Sequence, residues 1–484
     1  MSPGERLDHA VTHLLHHDPS LSASTGLWRA QRRWLTAIGI AAALVSITAP
    51  SAASLTVQFV FAAAFAMLLC VRLLALHHAL SPPRTAPIEC LTRAKNDPSL
   101  PVYTVLVALH AEVPVVPQLV AAMRGLIYPV DRLDIIFALE AHDEPTRAAL
   151  LAEDLPAHMR LVIVPPGLPR TKPRALCYAL TFARGDYVVV FDAEDIPDPG
   201  QLHAALTSFR AGGPELGCLQ AALAINNANS SWLTAQFAIE YTVLFDAVLP
   251  AFAANHLPIP LGGTSNHFTR QALDDVGGWD PYNVTEDADL GLRLARSGWR
   301  VDVLPSTTWE EAPVTWRPWL NQRTRWHKGW LQTYFVHMRN PARLYRDLGP
   351  AAWLWFQIVL GGGLLSALAH PWFFVMLAVD GSNGQLFPPL SEGLSAWLWW
   401  IGVINLAIAS AVTIALAQVT VRRRHRFDLL CHAVLAPLYW LPVSIAAYAA
   451  ILEWTRAPFY WAKTPHGKAH FQSARPDDAQ RLKT

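Results

Sequence analysis

The sequence predicts an α/β domain with a Rossmann-like, mainly parallel sheet, inserted into an α-helical transmembrane bundle. Three observations predict this. Long apolar runs lie near both ends, a middle stretch alternates short β-rich runs with helical ones, and arginines flank the apolar runs but are absent from their turns.

Composition supports a membrane component. Of 484 residues, 52% are hydrophobic, and the mean hydropathy of +0.23 exceeds that of an ordinary soluble mixture. The 19 Trp suit interfacial belts or sugar-binding faces. A formal charge of +1 lacks the basic field of a nucleic-acid binder, so no nucleic-acid partner is expected. Cys70, Cys90, Cys177, Cys218 and Cys431 are odd in number and lack C-x-x-C spacing, so they read as free thiols.

Residues 1–30 are polar and read as a mobile cytoplasmic N-terminal segment. Residues 31–80 read as a transmembrane hairpin built from the runs Trp34 to Ala49 and Leu55 to Leu76, broken at Pro50. Arg29, Arg32 and Arg33 precede it and Arg72 and Arg84 flank its exit, which puts both ends in the cytoplasm. Residues 98–315 then carry strand-like runs at 102–107, 133–139, 161–164 and 187–191, the texture of crossover-connected parallel strands. Residues 316–345 are basic and Trp-rich, as in an interfacial amphipathic helix.

Residues 350–455 form the C-terminal transmembrane region, with runs from Trp353 to Val379 and Ala396 to Val419. Their connection has no basic residue, and Arg422 to Arg426 follow, again placing only the turn outside. A last apolar stretch, Leu429 to Leu452, contains Pro437 and Pro442 and either crosses once or bends back. Residues 456–484 read as a cytoplasmic tail.

Three motifs carry chemistry. Strand-like Tyr187 to Phe191 runs straight into Asp192, Glu194 and Asp195, and acids at alternate positions can converge on a hard divalent cation or simply cap a turn. Thr285, Glu286 and Asp287 precede an amphipathic helical pattern, where Thr285 suits a cap and the acids suit the helix dipole. Gln322, Arg325 and Trp326 combine a guanidinium able to hold a diphosphate with an indole face for a sugar ring. The His13, His16 and His17 group is too scattered for a metal site and reads as solvated.

In this order and spacing, Asp192-x-Glu194, Thr285-Glu286-Asp287 and Gln322-x-x-Arg325-Trp326 resemble the family 2 glycosyltransferases of the cellulose synthase superfamily, in a bacterial exopolysaccharide-associated branch. The resemblance implies a GT-A fold and a metal-dependent, inverting sugar transfer. It makes Asp287 the catalytic base beside Glu286, and gives Asp192 and Glu194 to a Mg²⁺ or Mn²⁺ ion and the donor diphosphate. Gln322 and Arg325 match the element that grips the nucleotide-sugar, with Trp326 at the acceptor.

The same resemblance assigns Glu140 and Lys172 to the nucleotide, although His142 stands where the family has glycine and Cys177 where Asn is common. Gly262, Gly263 and Thr264 fall beside the acceptor, where glycines let backbone approach a sugar. Lys463 and Thr464 match a gating segment that covers the nucleotide. The implied partners are a UDP-sugar, with UDP-glucose preferred, a growing β-linked polysaccharide, the lipid bilayer, and accessory export or regulatory subunits. The implied location is a bacterial inner membrane. Two other readings stay open: a non-processive transferase that makes a glycolipid, and an inactive polysaccharide-binding or transport subunit.

Overall fold

A computed structural model describes residues 1–81, 99–384 and 386–463. The centre is an eight-stranded mixed sheet. Strands β1 (Tyr103–Leu109), β2 (Leu133–Glu140), β3 (Met159–Val164) and β4 (Tyr187–Phe191) are mutually parallel in the order β3-β2-β1-β4. All eight residues of β2 are buried. A strand covered on both faces reads as an unbroken apolar run, which is why this half was legible.

The other half departs from a simple parallel pattern. Strand β5 (Ile196–Pro197) forms the far edge. Strand β7 (Asn266–Thr269) lies antiparallel between β4 and β6 (Leu216–Ile225), and β8 (Arg300–Glu310) returns parallel to β6. A four-residue polar strand such as β7 carries no periodicity of its own. It is held by its neighbours' ladders.

Ten helices position the site or the membrane region: α1 (Pro3–His17), α2 (Arg29–Thr48), α3 (Pro50–Ala79), α4 (Lys172–Leu180), α5 (Trp232–Ala254), α6 (Glu286–Arg296), α7 (Trp316–His337), α8 (Pro341–Ser382), α9 (Leu394–Arg423) and α10 (Trp440–Arg456). Among the described residues, five segments are long and apolar enough to cross a membrane: α3, α5, α8, α9 and residues 436–456. Helix α2 buries none of its residues and exposes Trp34, Ile38, Leu44 and Ile47. Helix α5 was not distinguished from the α/β domain by sequence. Most of it is buried, because it packs on the sheet at one side and on α3 and α9 at the other.

Residues 1–30 are not the mobile lead-in that their polarity suggests. Helix α1 starts with a Ser2–Glu5 capping box, buries Ala10 and Leu14, and docks through Arg6, which donates to Thr181 O at 2.7 Å and lies over Phe182. Local polarity does not report a helix that buries only a narrow stripe. The stretch from Leu429 is broken into short turns up to Tyr439, after which α10 runs alongside α7. Trp319 Nε1 donates to Tyr439 Oη at 2.7 Å near one end, and Gln332 Nε2 donates to Pro458 O at 2.9 Å beyond the other. Cys70, Cys177, Cys218 and Cys431 are free thiols, and Cys90 lies outside the described residues.

Candidate active site

A cavity of about 1190 Å³ opens at the carboxyl ends of β1, β2 and β4, the position expected for ligands of such sheets. Asp192, Glu194, Lys172, Gly262 to Thr264, Glu286, Asp287, Gln322, Arg325 and Trp326 all line it, although they come from segments far apart in sequence. The three motifs therefore share one chamber.

On the β4 side, Asp192 pairs with Lys172, whose Nζ also donates to Gly263 O at 2.7 Å. Asp195 turns inward and braces the loop. It accepts from the Asp192 N–H at 2.7 Å and from the Thr264 hydroxyl. Burial first, then the charge of Asp192, pushes the Glu194 and Asp195 carboxyls well above the usual range. Glu310, at the end of β8, is raised likewise by burial and by Asp195. Asp195 Oδ1 and Glu310 Oε1 are buried without hydrogen-bond partners.

Such mutual crowding of carboxylates is relieved by a cation, and oxygen-only donors suit Mg²⁺ or Mn²⁺. The residues present fit such an ion in kind. Among the described residues, no three His, Cys, Asp or Glu side chains converge to hold one by themselves. Further oxygens would have to come from a ligand.

Across Gly263 stands the second motif. A Cβ built on Gly263 would lie 3.3 Å from Asp287 Oδ2 and 4.0 Å from Lys172 Nζ, so the glycine lets backbone pass between carboxylate and ammonium. Glu286 and Asp287 open α6. Burial, then Asp287, pushes Glu286 to about 8, and burial also raises Asp287 while Lys172 and Arg325 oppose the rise. Thr285 occupies the N-cap position but its side chain makes no cap. Instead Asn283 Oδ1 accepts from the Thr285 N–H at 3.0 Å.

Helix α7 supplies the third wall. Arg325 stacks on Trp461 at 4.3 Å, and Gln322 Oε1 is buried without a partner. Arg323, between the motif positions, makes two hydrogen bonds to Glu240 at 2.7 and 2.5 Å and lies over Phe237 and Trp326. This locks α7 to α5. The C-terminal segment crosses the cavity edge: Phe459, Tyr460 and Trp461 line it, and Lys463 pairs with Glu112 at 3.1 Å. Thr464 lies outside the described residues.

Glu140 is placed at the cavity but is not a free carboxylate. Both its oxygens accept from Arg174 Nη2, at 2.7 and 2.6 Å, so a base-reading role needs Arg174 to move or to share the contact. Arg174 itself was missed, as were Glu310, the Glu240–Arg323 pair and Trp461. Only Glu310 had a usable signal, as an acid at a strand's carboxyl end. Proline at 305 obscured that strand.

A family model described as Glycosyl transferase family group 2 matches residues 187–416. A probable glycosyltransferase of Bacillus subtilis, YdaM, is 26% identical over 345 residues, covering 69% of this chain and 79% of that protein. Beta-monoglucosyldiacylglycerol synthase of Synechocystis is 28% identical over 406 residues, covering 80% and 79%. Among solved structures, a mannosyltransferase of Pyrobaculum calidifontis in complex with GDP-Man and Mn²⁺ superposes with a TM-score of 0.52 at 20% identity, covering 83% of this chain and 99% of that one. That likeness identifies the GT-A-like mixed sheet.

Proposed function

The chain belongs to the family 2 glycosyltransferases, and on that premise we propose that it transfers a sugar from a nucleotide-sugar to a hydroxyl acceptor at a membrane face, with inversion. The observation that carries the reading is the meeting of Asp287, Lys172 and Asp192 around Gly263 in one cavity. Asp287 takes the proton of the acceptor hydroxyl, whose oxygen attacks the anomeric carbon while the nucleoside diphosphate leaves with the bonding pair. An α-linked donor then gives a β-linked product. Burial raises the Asp287 carboxyl, and Lys172 and Arg325 favour its ionised form; both cations also suit the charge that develops on the leaving phosphate. Asp192 and Glu194 would hold a Mg²⁺ or Mn²⁺ ion, which when bound neutralises diphosphate charge.

The preferred donor is UDP-glucose, by resemblance. For the acceptor, Trp326 and Trp330 offer indole faces to a growing polysaccharide, extruded through the chain's own helices. A second reading, a single transfer to a lipid, is favoured by Val243, Leu244, Phe245, Val248 and Val443 on the cavity wall, which suit an acyl chain. The relative named beta-monoglucosyldiacylglycerol synthase supports it further. The location proposed is a bacterial inner membrane, with the cavity on the cytoplasmic side where Arg29, Arg32, Arg33 and Arg422 to Arg426 cluster.

Protein purified in detergent and assayed for UDP release against a panel of UDP-sugars with Mg²⁺ or Mn²⁺ tests the reading. Asp287→Asn is expected to lower turnover about 100-fold or more. Turnover near that of the unaltered protein overturns it. Radiolabelled product length separates polymer from a single glycolipid.

A further inference from the structure

The segment between α1 and α2 touches both catalytic elements at once. Asp280, fully buried, accepts from the Ala23 N–H at 2.5 Å and from the Ser22 hydroxyl at 3.3 Å. Its carboxylate also accepts from the Tyr282 N–H at 3.0 Å, at the start of the loop that ends at Asp287. On the opposite side that loop is fixed to α7: Gln332 Oε1 accepts from the Val284 N–H at 3.1 Å, and Asn283 Nδ2 donates to Thr333 at 2.9 Å. The Asp287 loop is thus held between residues 22–23 and α7.

The same short segment also grips the end of α7. Arg339 Nη1 donates to Ser20 O at 2.9 Å and Ser22 O at 2.7 Å, and its Nη2 donates to Gly26 O at 2.7 Å. Arg343, in the first turn of α8, pairs with Asp18 at 2.8 Å, and Gln31 Nε2, in the first turn of α2, donates to Phe335 O of α7 at 2.7 Å. A guanidinium fork spanning three carbonyls fixes orientation as well as distance.

We propose that residues 18–31 form a positioning clasp that holds the Asp287 loop against the Gln322–Trp326 helix, with Asp280 and Arg339 as its positioning residues. Neither touches the donor. Each acts through the loop or helix that carries a group lining the cavity. Because α2 begins at Arg29, the clasp also joins the exposed apolar helix to the catalytic loop. The inference rests on Asp287 being the base.

The test compares Arg339→Ala, Arg339→Lys and Arg343→Ala in the full chain, measuring kcat, donor KM and melting temperature. Lys172 and Asp192, on α4 and beyond β4, lie outside the clasp. Gln322 and Arg325, on the clasped helix, also face the donor, so Arg339→Ala is expected to lower kcat about 10- to 100-fold, as for a misplaced reacting group, with a smaller rise in donor KM. Arg339→Lys falls between, since one ammonium cannot span three carbonyls. Arg343→Ala, at a side chain 43% exposed, keeps the fold and lowers kcat in the same direction by less. Unchanged kcat in Arg339→Ala and Arg343→Ala overturns the clasp, as does a fall that tracks melting temperature alone or raises KM equally. If Asp287→Asn itself retains turnover, the proposed function has failed instead.

Discussion

Replacing Lys172 by Met removes a cation close to Asp287, the carboxylate proposed as base. Its Nζ is held by Asp192 and Gly263 O, and the two distances across Gly263 place it within about 7 Å of Asp287 Oδ2. At an effective dielectric of about 20, that separation corresponds to roughly 2 kcal/mol of attraction, or about 1.5 pH units. Arg325 remains as a second support, so the net change is smaller. Asp287 works as a base only when ionised, and losing a cation disfavours ionisation. The acid limb of kcat/KM in Lys172→Met is therefore expected to move up by about one pH unit, measured by UDP release across the pH range with saturating Mg²⁺. Lys172→Arg, which keeps the charge, should leave the limb nearly in place. An acid limb that stays or moves down in Lys172→Met refutes the electrostatic role.

Two further outcomes follow from the same site. Glu286 has a folded value of about 8 against an ordinary 4.5, so the folded state retains a proton that the unfolded chain releases. Its contribution to stability is lost as pH rises from about 4.5 to about 8. Glu286→Gln should therefore flatten the fall in melting temperature over that window, and an unchanged slope would show that Glu286 is not the group responsible. Gly263→Ala places a methyl 3.3 Å from Asp287 Oδ2, tight enough to displace the carboxylate by a few tenths of an ångström. A kcat about tenfold lower with little change in melting temperature is expected, and unaltered kcat would show that the close approach at Gly263 is not needed.

The parallel half of the sheet was legible because β1, β2 and β4 are buried on both faces, and burial leaves mostly apolar runs, of which β2 ends at Glu140 and β4 leads into Asp192. The antiparallel insertion of β7 was not, since Asn266 to Thr269 have no apolar period and are defined by their partners. Asp192, Asp287 and Arg325 were legible as motif members. Their mutual arrangement was not, because the spacer is Gly263 and its reason is visible only with both charges in place. Glu140 shows the limit of position alone. The residue lies at the cavity, but Arg174, from a different element, occupies both its oxygens.

The docking of residues 1–30 was hidden for a similar reason. Many of its contacts are backbone ones, such as the carbonyls of Ser20, Ser22 and Gly26 meeting Arg339, and backbone acceptors leave no trace in side-chain pattern. Helix α5 was hidden by the opposite effect. It is apolar enough to cross a membrane, yet it is mostly buried against the sheet and its neighbours.

The proposed reaction is a single displacement driven by Asp287. The most direct measurement is the anomeric configuration of the newly transferred sugar, read by proton NMR on product made from an α-linked donor. A β-linked product, absent in Asp287→Asn, is the predicted result. An α-linked product would contradict the account, because one displacement assisted by one base cannot retain configuration.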